Sequence, residues 1–442
     1  MTPTEMTPTE MTWYESPELL FAVGIEDTFI PQTPFGERSL DEYELTQHYH
    51  FWHADLGLVR ECGASMARWG IPWYRINPRR GHWEWSFLDR VADRFAELEI
   101  TPIVDLVHYG TPMWLDNQFV NADYPHAVAE YAANVAERYA GTFEIFTPLN
   151  EPLLNVMYCG EFGHWPPYLR GDDGLVHLAR AIGRGIVETQ RAIADVSSTA
   201  TFVHVEASFR FAGDVDDYAD EVRHLRTRAY LMEDLVTGSV GDDHPLRPYL
   251  QRHGLTDGDL AWFAENVAVP DVMGVNYYPA LATELFVAGE PHDGGPRDLR
   301  PRVDAWTDGL RDVLTSFADR YRRPVLLAET CFTGTADERI RWLDASVECV
   351  RALRSEGLPV VGYTWWSLFD MYEWTYRDGT GTVAEYLLPM GLWDLQPDGA
   401  GVLRRVRNPV ADRYQQHALD GGSGQLTGRR DGSGLADSAT AP

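Results

Sequence analysis

Positive charge is scarce in this sequence. Its 442 residues hold 37 Lys and Arg against 67 Asp and Glu, a formal net charge of −30. No basic patch stands out, which argues against nucleic acid and anionic membrane as partners. Cysteine is also sparse. Cys62, Cys159, Cys331 and Cys349 form no CxxC pair and no metal-ligand spacing, as expected of reduced thiols in a cytosolic protein. No apolar run reaches 18 residues, so no membrane-crossing helix is expected. The amino terminus lacks a basic region followed by an apolar core, so no signal peptide is read and a cytoplasmic location is expected.

What is abundant is apolar and aromatic. Hydrophobic residues make up 44%, ample for a large core, and 15 Trp, 21 Tyr and 18 Phe bring aromatics to 12%. Core filling explains most such rings, and a sugar or apolar-ring ligand is the alternative use. Residues 1–12, "MTPTEMTPTEMT", repeat a pentapeptide and read as a disordered leader. Residues 421–442 are rich in Gly and Ser and read as a disordered tail. Nothing between them looks like a linker, so 13–420 is expected to be one domain. The stretch 288–301, "AGEPHDGGPRDLRP", reads as a long surface loop.

The body alternates β-like runs with helical patterns. Strands are expected over 19–26, 66–76, 101–110, 143–152, 200–209, 271–279, 324–330 and 359–370. Amphipathic stretches such as 87–99 and 126–140 lie between them. In the second, Val128, Ala132, Val135 and Tyr139 recur at helical spacing. Eight such units predict an α/β fold, a single (β/α)8 TIM barrel. A doubly wound sheet is the alternative, but "FAVGIED" is not a Gly-rich first turn.

In such a barrel the site lies at the carboxyl ends of the strands. Glu26 and Asp27 end the first; Arg75 and Asn77 the second; His108 and Tyr109 the third; Asn150 and Glu151 the fourth. Glu206 marks the fifth, Asn276, Tyr277 and Tyr278 the sixth, and Glu329 the seventh. Trp365, Trp366 and Asp370, with Glu373 and Trp374 beyond, mark the eighth. Each alone reads as a loop residue or a strand-end hydrogen bond. Together they form a ring of carboxylates, amides and aromatics.

Glu151 and Glu329 stand on strands that face each other. Glycoside cleavage needs such a pair, one to protonate the leaving oxygen, the other to attack the anomeric carbon. They sit ~5–5.5 Å apart in retaining enzymes and ~6.5–9.5 Å apart in inverting ones. Asn150 and aromatic walls would keep Glu151 protonated. Arg75 and a tyrosine hydroxyl would hold Glu329 ionised. Trp366 offers a flat platform for a sugar ring, and Glu373 an acceptor for neighbouring hydroxyls.

Several segments resemble a known family. "TPLNEP" (147–152) resembles the Thr-x-Asn-Glu-Pro signature of glycoside hydrolase family 1, the β-glucosidase family. "YTWWSLFDMYEW" (363–374) resembles its Trp-Ser-Leu-x-Asp-Asn-x-Glu-Trp segment. "YRINP", "VHYGTPMWL" and "VMGVNYYP" resemble three more, in chain order over roughly 19–418. The resemblance implies a retaining β-glycosidase acting on a small glycoside without metal or cofactor. It implies Glu151 as acid/base and Glu329 as nucleophile. Asn150 would bind the sugar 2-OH and His108 the 3-OH. Arg75 and Tyr278 would orient Glu329, and Asn276 would support the site. Trp366 would stack under the ring, with Glu373 and Trp374 reading the outer hydroxyls.

The chain also departs from the pattern. The family's usual Thr-Glu-Asn-Gly is "AETCFTG" (328–334), with Cys331 read as a small buried filler. Tyr109 and Gly110 stand where the family has Trp and Asp. The first strand offers Glu26, Asp27 or Gln32 for a sugar-binding Gln. Glu206 is an extra carboxylate, read as a substrate contact or a support. The run after Trp374 is longer than usual, so the rim is expected to be rebuilt. A transglycosylase using the same intermediate and a non-catalytic sugar-binding barrel are the alternatives. A metal-dependent hydrolase would need more strand-end ligands than His108 and His204. The oligomeric state is left open, a homo-oligomer included.

Overall fold

A computed structural model of the protein describes residues 12–289 and 300–421. The expected leader and tail lie outside these residues, save Thr12 and Gly421. So does the expected loop at 288–301, save its ends. Eight parallel strands close into a barrel: β1 (Leu20–Gly24), β2 (Met66–Gly70), β3 (Thr101–Asp105), β4 (Ile145–Thr147), β5 (Thr201–Ala207), β6 (Val272–Asn276), β7 (Val325–Thr330) and β8 (Val360–Trp365). Each pairs with its neighbours in chain order, and β1 pairs with both β2 and β8. Helices α1 (His48–Glu61), α2 (Ser86–Leu98), α3 (Tyr124–Arg138), α4 (Gly171–Val196), α5 (Asp257–Glu265), α6 (Trp306–Tyr321) and α7 (Ala336–Ser355) lie on the crossovers. The final helix α8 (Pro409–Gly421) follows a long excursion from β8 that holds the antiparallel pair Trp393–Pro397 and Leu403–Arg407. No helix of the described residues is long and apolar enough to cross a membrane.

The period of a strand decides what enters the barrel. Alternate side chains point to opposite faces. Ala22, Met66, Ile103, Ile145, Val203, Val205, Val272, Leu326, Ala328 and Val361 make a small inner core. The larger core lies between strands and helices. Two residues on from Met66, Arg68 shares its inward face. Two on from Ile103, Asp105 does the same. Asn276 follows Val272 and Gly274 inward.

Several strands are shorter than expected: β3 ends at Asp105, β4 at Thr147 and β8 at Trp365, not at 110, 152 and 370. The second strand stops at Gly70, not near residue 76, because Pro72 leads into a short helix, Trp73–Ile76. And on β7 strict alternation would carry Leu326, Ala328 and Thr330 inward and send Glu329 out. The pairing register shifts between Leu327 and Glu329, a bulge-like irregularity. It turns Glu329 into the barrel mouth.

Candidate active site

Glu151 is held by its own backbone. It adopts a left-handed conformation, φ 45°, between β4 and a short helix, Pro152–Val156. Its N–H donates to the Val205 carbonyl at 3.0 Å, tying it to β5. Such a backbone costs a non-glycine residue roughly 1–3 kcal/mol, so the surroundings must fix it. Asn276 Nδ2 donates to Glu151 Oε1 at 2.9 Å, and the Tyr109 hydroxyl donates to Oε2. Both oxygens are therefore engaged, and both donors are neutral.

Glu329 has different company. Arg68 Nη1 forms an ion pair with its Oε1, and the Tyr278 hydroxyl donates to its Oε2 at 2.7 Å. Arg68 also pairs with Asp105 at 2.8 Å and donates to Asn150 Oδ1 at 2.6 Å. This corrects the expectation for Arg75. Arg75 lies on the short helix beyond β2. Its side chain is 44% exposed, pairs with Glu44 at 3.5 Å and lies over the Tyr49 ring. It does not reach Glu329. The inward arginine of the strand takes that place.

Arg68 fixes the Asn150 amide with its oxygen toward the guanidinium. Its Nδ2 then faces His108 Nε2 and the Tyr109 hydroxyl, each at 2.9 Å. On the other ring nitrogen, His108 Nδ1 meets Asp27 at 2.8 Å and Asp105 at 3.3 Å. Burial opposes charging of His108, but the two carboxylates outweigh it and hold its pKa well above 6.5. Asp27, Asp105 and His108 bring donor atoms within 4.8 Å of one another. Arg68 beside Asp105 and His108 beside Asp27 already supply positive charge there, so the set fits a metal ion poorly.

Trp366 is buried. Its ring stacks on His108 with centroids 5.8 Å apart, Arg68 lies 4.8 Å from its centroid, and its Nε1 donates to Glu26 Oε2 at 2.5 Å. Glycines make room for this arrangement. A Cβ on Gly24 would come within 1.9 Å of the Trp366 ring, and one on Gly70 within 1.4 Å of Asp27. Of the three residues offered by the first strand, Glu26 meets Trp366 and Asp27 meets His108. Gln32 instead turns to Thr111.

At the rim, Trp374 packs edge-on against Tyr109, Tyr158 and Trp165, with centroids 5.2–6.0 Å apart. Glu373, expected to bind hydroxyls, is exposed and makes no side-chain hydrogen bond among the described residues. Glu206 is not a lining residue. Val203 and Val205 point inward, so Glu206 points outward, where its oxygens accept from the N–H groups of Leu153 and Ala207. Cys331 is buried.

Burial raises both catalytic candidates. Burial, opposed by Arg68 and reinforced by the charge of Glu151, pushes Glu329 up to about 8. Burial also raises Glu151, against the Tyr109 and Asn276 hydrogen bonds. Two such carboxyls do not both ionise at neutral pH, so the site holds a proton. Only Glu329 has a guanidinium beside it, which favours the charged form there. Once Glu151 is neutral its repulsion disappears, and Glu329 is charged more easily.

Arg68 and Asp105 were missed as site residues, and Tyr109 was placed at a strand end without a role. The signal for the first two was the inward period of β2 and β3.

Known proteins share this architecture. The sequence model of glycosyl hydrolase family 1 matches residues 23–221. An aryl-phospho-β-D-glucosidase of Bacillus subtilis is 24% identical over 429 residues, spanning 87% of this chain and 88% of the relative. β-Glucosidase A of Thermotoga maritima is 24% identical over 372 residues, spanning 77% of this chain and 82% of that one. The solved β-glucosidase of Thermotoga maritima in complex with glucoimidazole superposes with a TM-score of 0.75 at 19% identity. It covers 92% of this chain and 99% of that one, a likeness of fold.

Proposed function

The chain belongs to glycosyl hydrolase family 1 and is a glycoside hydrolase, and from that premise we propose that it is a retaining, exo-acting β-glycosidase of small glycosides. The observation that carries this is the asymmetry of the two carboxyls. Glu329 faces a guanidinium and is the nucleophile. Glu151 faces only neutral donors and is the acid.

The Glu329 carboxylate attacks the anomeric carbon while Glu151 gives its proton to the glycosidic oxygen, and the aglycone leaves as an alcohol. A glycosyl ester on Glu329 remains. Glu151, now a carboxylate, takes a proton from water, whose oxygen displaces Glu329 from the sugar. Asn150 and His108 bind hydroxyls next to the reacting carbon, and Trp366 and Trp374 supply apolar faces. Glu151 and Glu329 are only 6% and 4% exposed, which favours a pocket for one terminal sugar over an open cleft. The Bacillus relative is named for phosphorylated glucosides. In this chain Arg68 and His108 are already paired with carboxylates, so an unphosphorylated glycon is favoured.

Labelling with 2-deoxy-2-fluoro-β-glycosides tests the reading. A glycosyl adduct mapped to Glu329 is expected. An adduct on another residue, or product of inverted configuration, refutes it. The aromatic wall of Tyr109, Trp165 and Trp374 also favours a second reading, transfer to an alcohol acceptor from the same intermediate. Product analysis with an alcohol present separates transfer from hydrolysis.

A further inference from the structure

Many of the buried carboxylates of this barrel are neutralised. Asp105 and Glu329 share Arg68, and Asp27 pairs with His108. Away from the site, Asp55 pairs with Arg405, Asp234 with Arg320, and Asp259 with Arg184. Asp370 accepts three backbone N–H groups. Glu151, Glu206, Glu26 and Glu42 meet no cation among the described residues; Glu151 is the acid of the proposed reaction and Glu206 accepts from two backbone N–H groups away from the barrel lining, which leaves Glu26 and Glu42 without a role. Glu26 accepts only from the Thr28 N–H and from Trp366 Nε1. Glu42, fully buried, accepts from the Tyr372 N–H through Oε2. Its Oε1 has no hydrogen-bond partner among the described residues. Neither is within ion-pair reach of a cation among those residues. They are neighbours through Thr28, whose N–H donates to Glu26 Oε1 at 3.2 Å and whose carbonyl accepts from the Glu42 N–H at 3.0 Å. Burial first, then repulsion by Glu26, raises Glu42 well above the ordinary carboxylate range. Uncompensated buried charge is costly and is normally paired.

Their position says what the missing partner is. The reacting carbon must lie between Glu151 and Glu329. Leading away from it, the contacts run from Asn150 to His108, and from His108 to Asp27 and the Trp366 indole. Glu26 holds the far edge of that indole, with Glu42 behind it. The pair therefore borders the side of the glycon remote from the anomeric carbon. With a neutral hydroxyl there, Glu42 stays protonated and Glu26 meets no cation; a bound cation lets both carboxyls ionise. A protonated amine offers three donors and a positive charge.

We propose that the glycon is an amino sugar, its ammonium group on the third or fourth ring carbon and bound by Glu26 and Glu42. This rests on the glycosidase reading above and deepens it. The test compares 4-nitrophenyl β-D-glucoside with its 3-amino-3-deoxy and 4-amino-4-deoxy counterparts at a pH where the amines are protonated. One amino glycoside is expected to exceed the glucoside in kcat/KM by at least about tenfold, the lower end for a hydrogen bond to a charged group. Glu26→Gln keeps the shape and removes the charge, and is expected to abolish that ratio. Inhibition of the unaltered protein by the two free amino sugars, relative to glucose, gives the same comparison if the variant does not fold. A glucoside hydrolysed as well as or better than both amino glycosides, with free amino sugars binding no better than glucose, overturns the proposal while leaving the glycosidase reading intact. Turnover of no glycoside at all overturns both.

Discussion

Arg68 and Arg75 make opposite predictions, and the pair tests the site directly. Arg68 is fully buried and touches Asp105, Glu329 and Asn150. Arg68→Met keeps most of the volume and removes the charge, leaving two buried carboxylates uncompensated. Breaking a buried pair in this way costs about 3–5 kcal/mol, a fall in Tm of about 3–5 °C for a chain of this length. The pH profile moves in a defined direction. Arg68 lowers the pKa of Glu329, which burial has already pushed up to about 8. Without the guanidinium, Glu329 ionises at still higher pH. The nucleophile must be ionised, so the acidic limb of kcat/KM shifts upward and activity at pH 7 falls. Loss of a charge-stabilising group of this kind costs about 10²–10³ in rate. Arg75→Met removes a half-exposed pair at 3.5 Å and a ring contact, about 1 kcal/mol or less, with the pH profile unchanged. Thermal melts and pH profiles of kcat/KM on both variants decide. An Arg68 variant with the native acidic limb, or an Arg75 variant that loses it, refutes the reasoning.

Three further outcomes are expected. Glu151→Ala slows glycosides with poor leaving groups far more than activated aryl glycosides, and azide restores turnover as a glycosyl azide of retained configuration; an equal loss on all leaving groups removes Glu151 from the acid role. Tyr109→Phe deletes a donor that favours the Glu151 carboxylate, so the Glu151 pKa rises and the alkaline limb of kcat/KM, where the acid loses its proton, moves to higher pH; an unmoved limb shows that this hydrogen bond does not tune the acid. Glu42→Gln stabilises the ligand-free protein, and increasingly so above pH 4.5. There the unfolded carboxyl ionises while the buried one resists, at up to about 1.4 kcal/mol per pH unit. Melts at pH 5 and 8 that show no growing difference contradict the burial argument.

How much of this was legible in the sequence follows the strand period. The eight strands were readable because parallel strands buried on both faces leave near-continuous apolar runs between amphipathic helices. Asn150, Glu151, His108, Asn276 and Tyr278 were readable as polar residues closing such runs, and the structure gathers all five. Arg68 was not, because "MARWGIPW" is apolar on both sides of it and the run was carried past Pro72 to Arg75. Counting by twos from Met66 would have turned Arg68 inward. The same count keeps Glu206 from touching substrate, since Val203 and Val205 hold the inner face, and leaves it the support of the two roles read for it. Glu329 is the reverse case. Its inward aim depends on a register shift against β6, a tertiary property that no local pattern carries.

The first strand shows a different limit. Glu26, Asp27 and Gln32 were equivalent in the sequence because loop residues have no period to sort them. Shape sorts them in the fold. Gly24 leaves room for the Trp366 ring, which brings Nε1 onto Glu26, and Gly70 leaves room for Asp27 to reach His108. Two glycines on neighbouring strands thus decide which carboxylates face the sugar side of the barrel. Adding a Cβ at Gly24 would press on the indole, rather than on a flexible chain end that could yield. Gly24→Ala therefore disturbs Trp366 and Glu26 together. The acidic side of the pocket is a consequence of packing, set by the smallest residues beside it rather than by the acids alone.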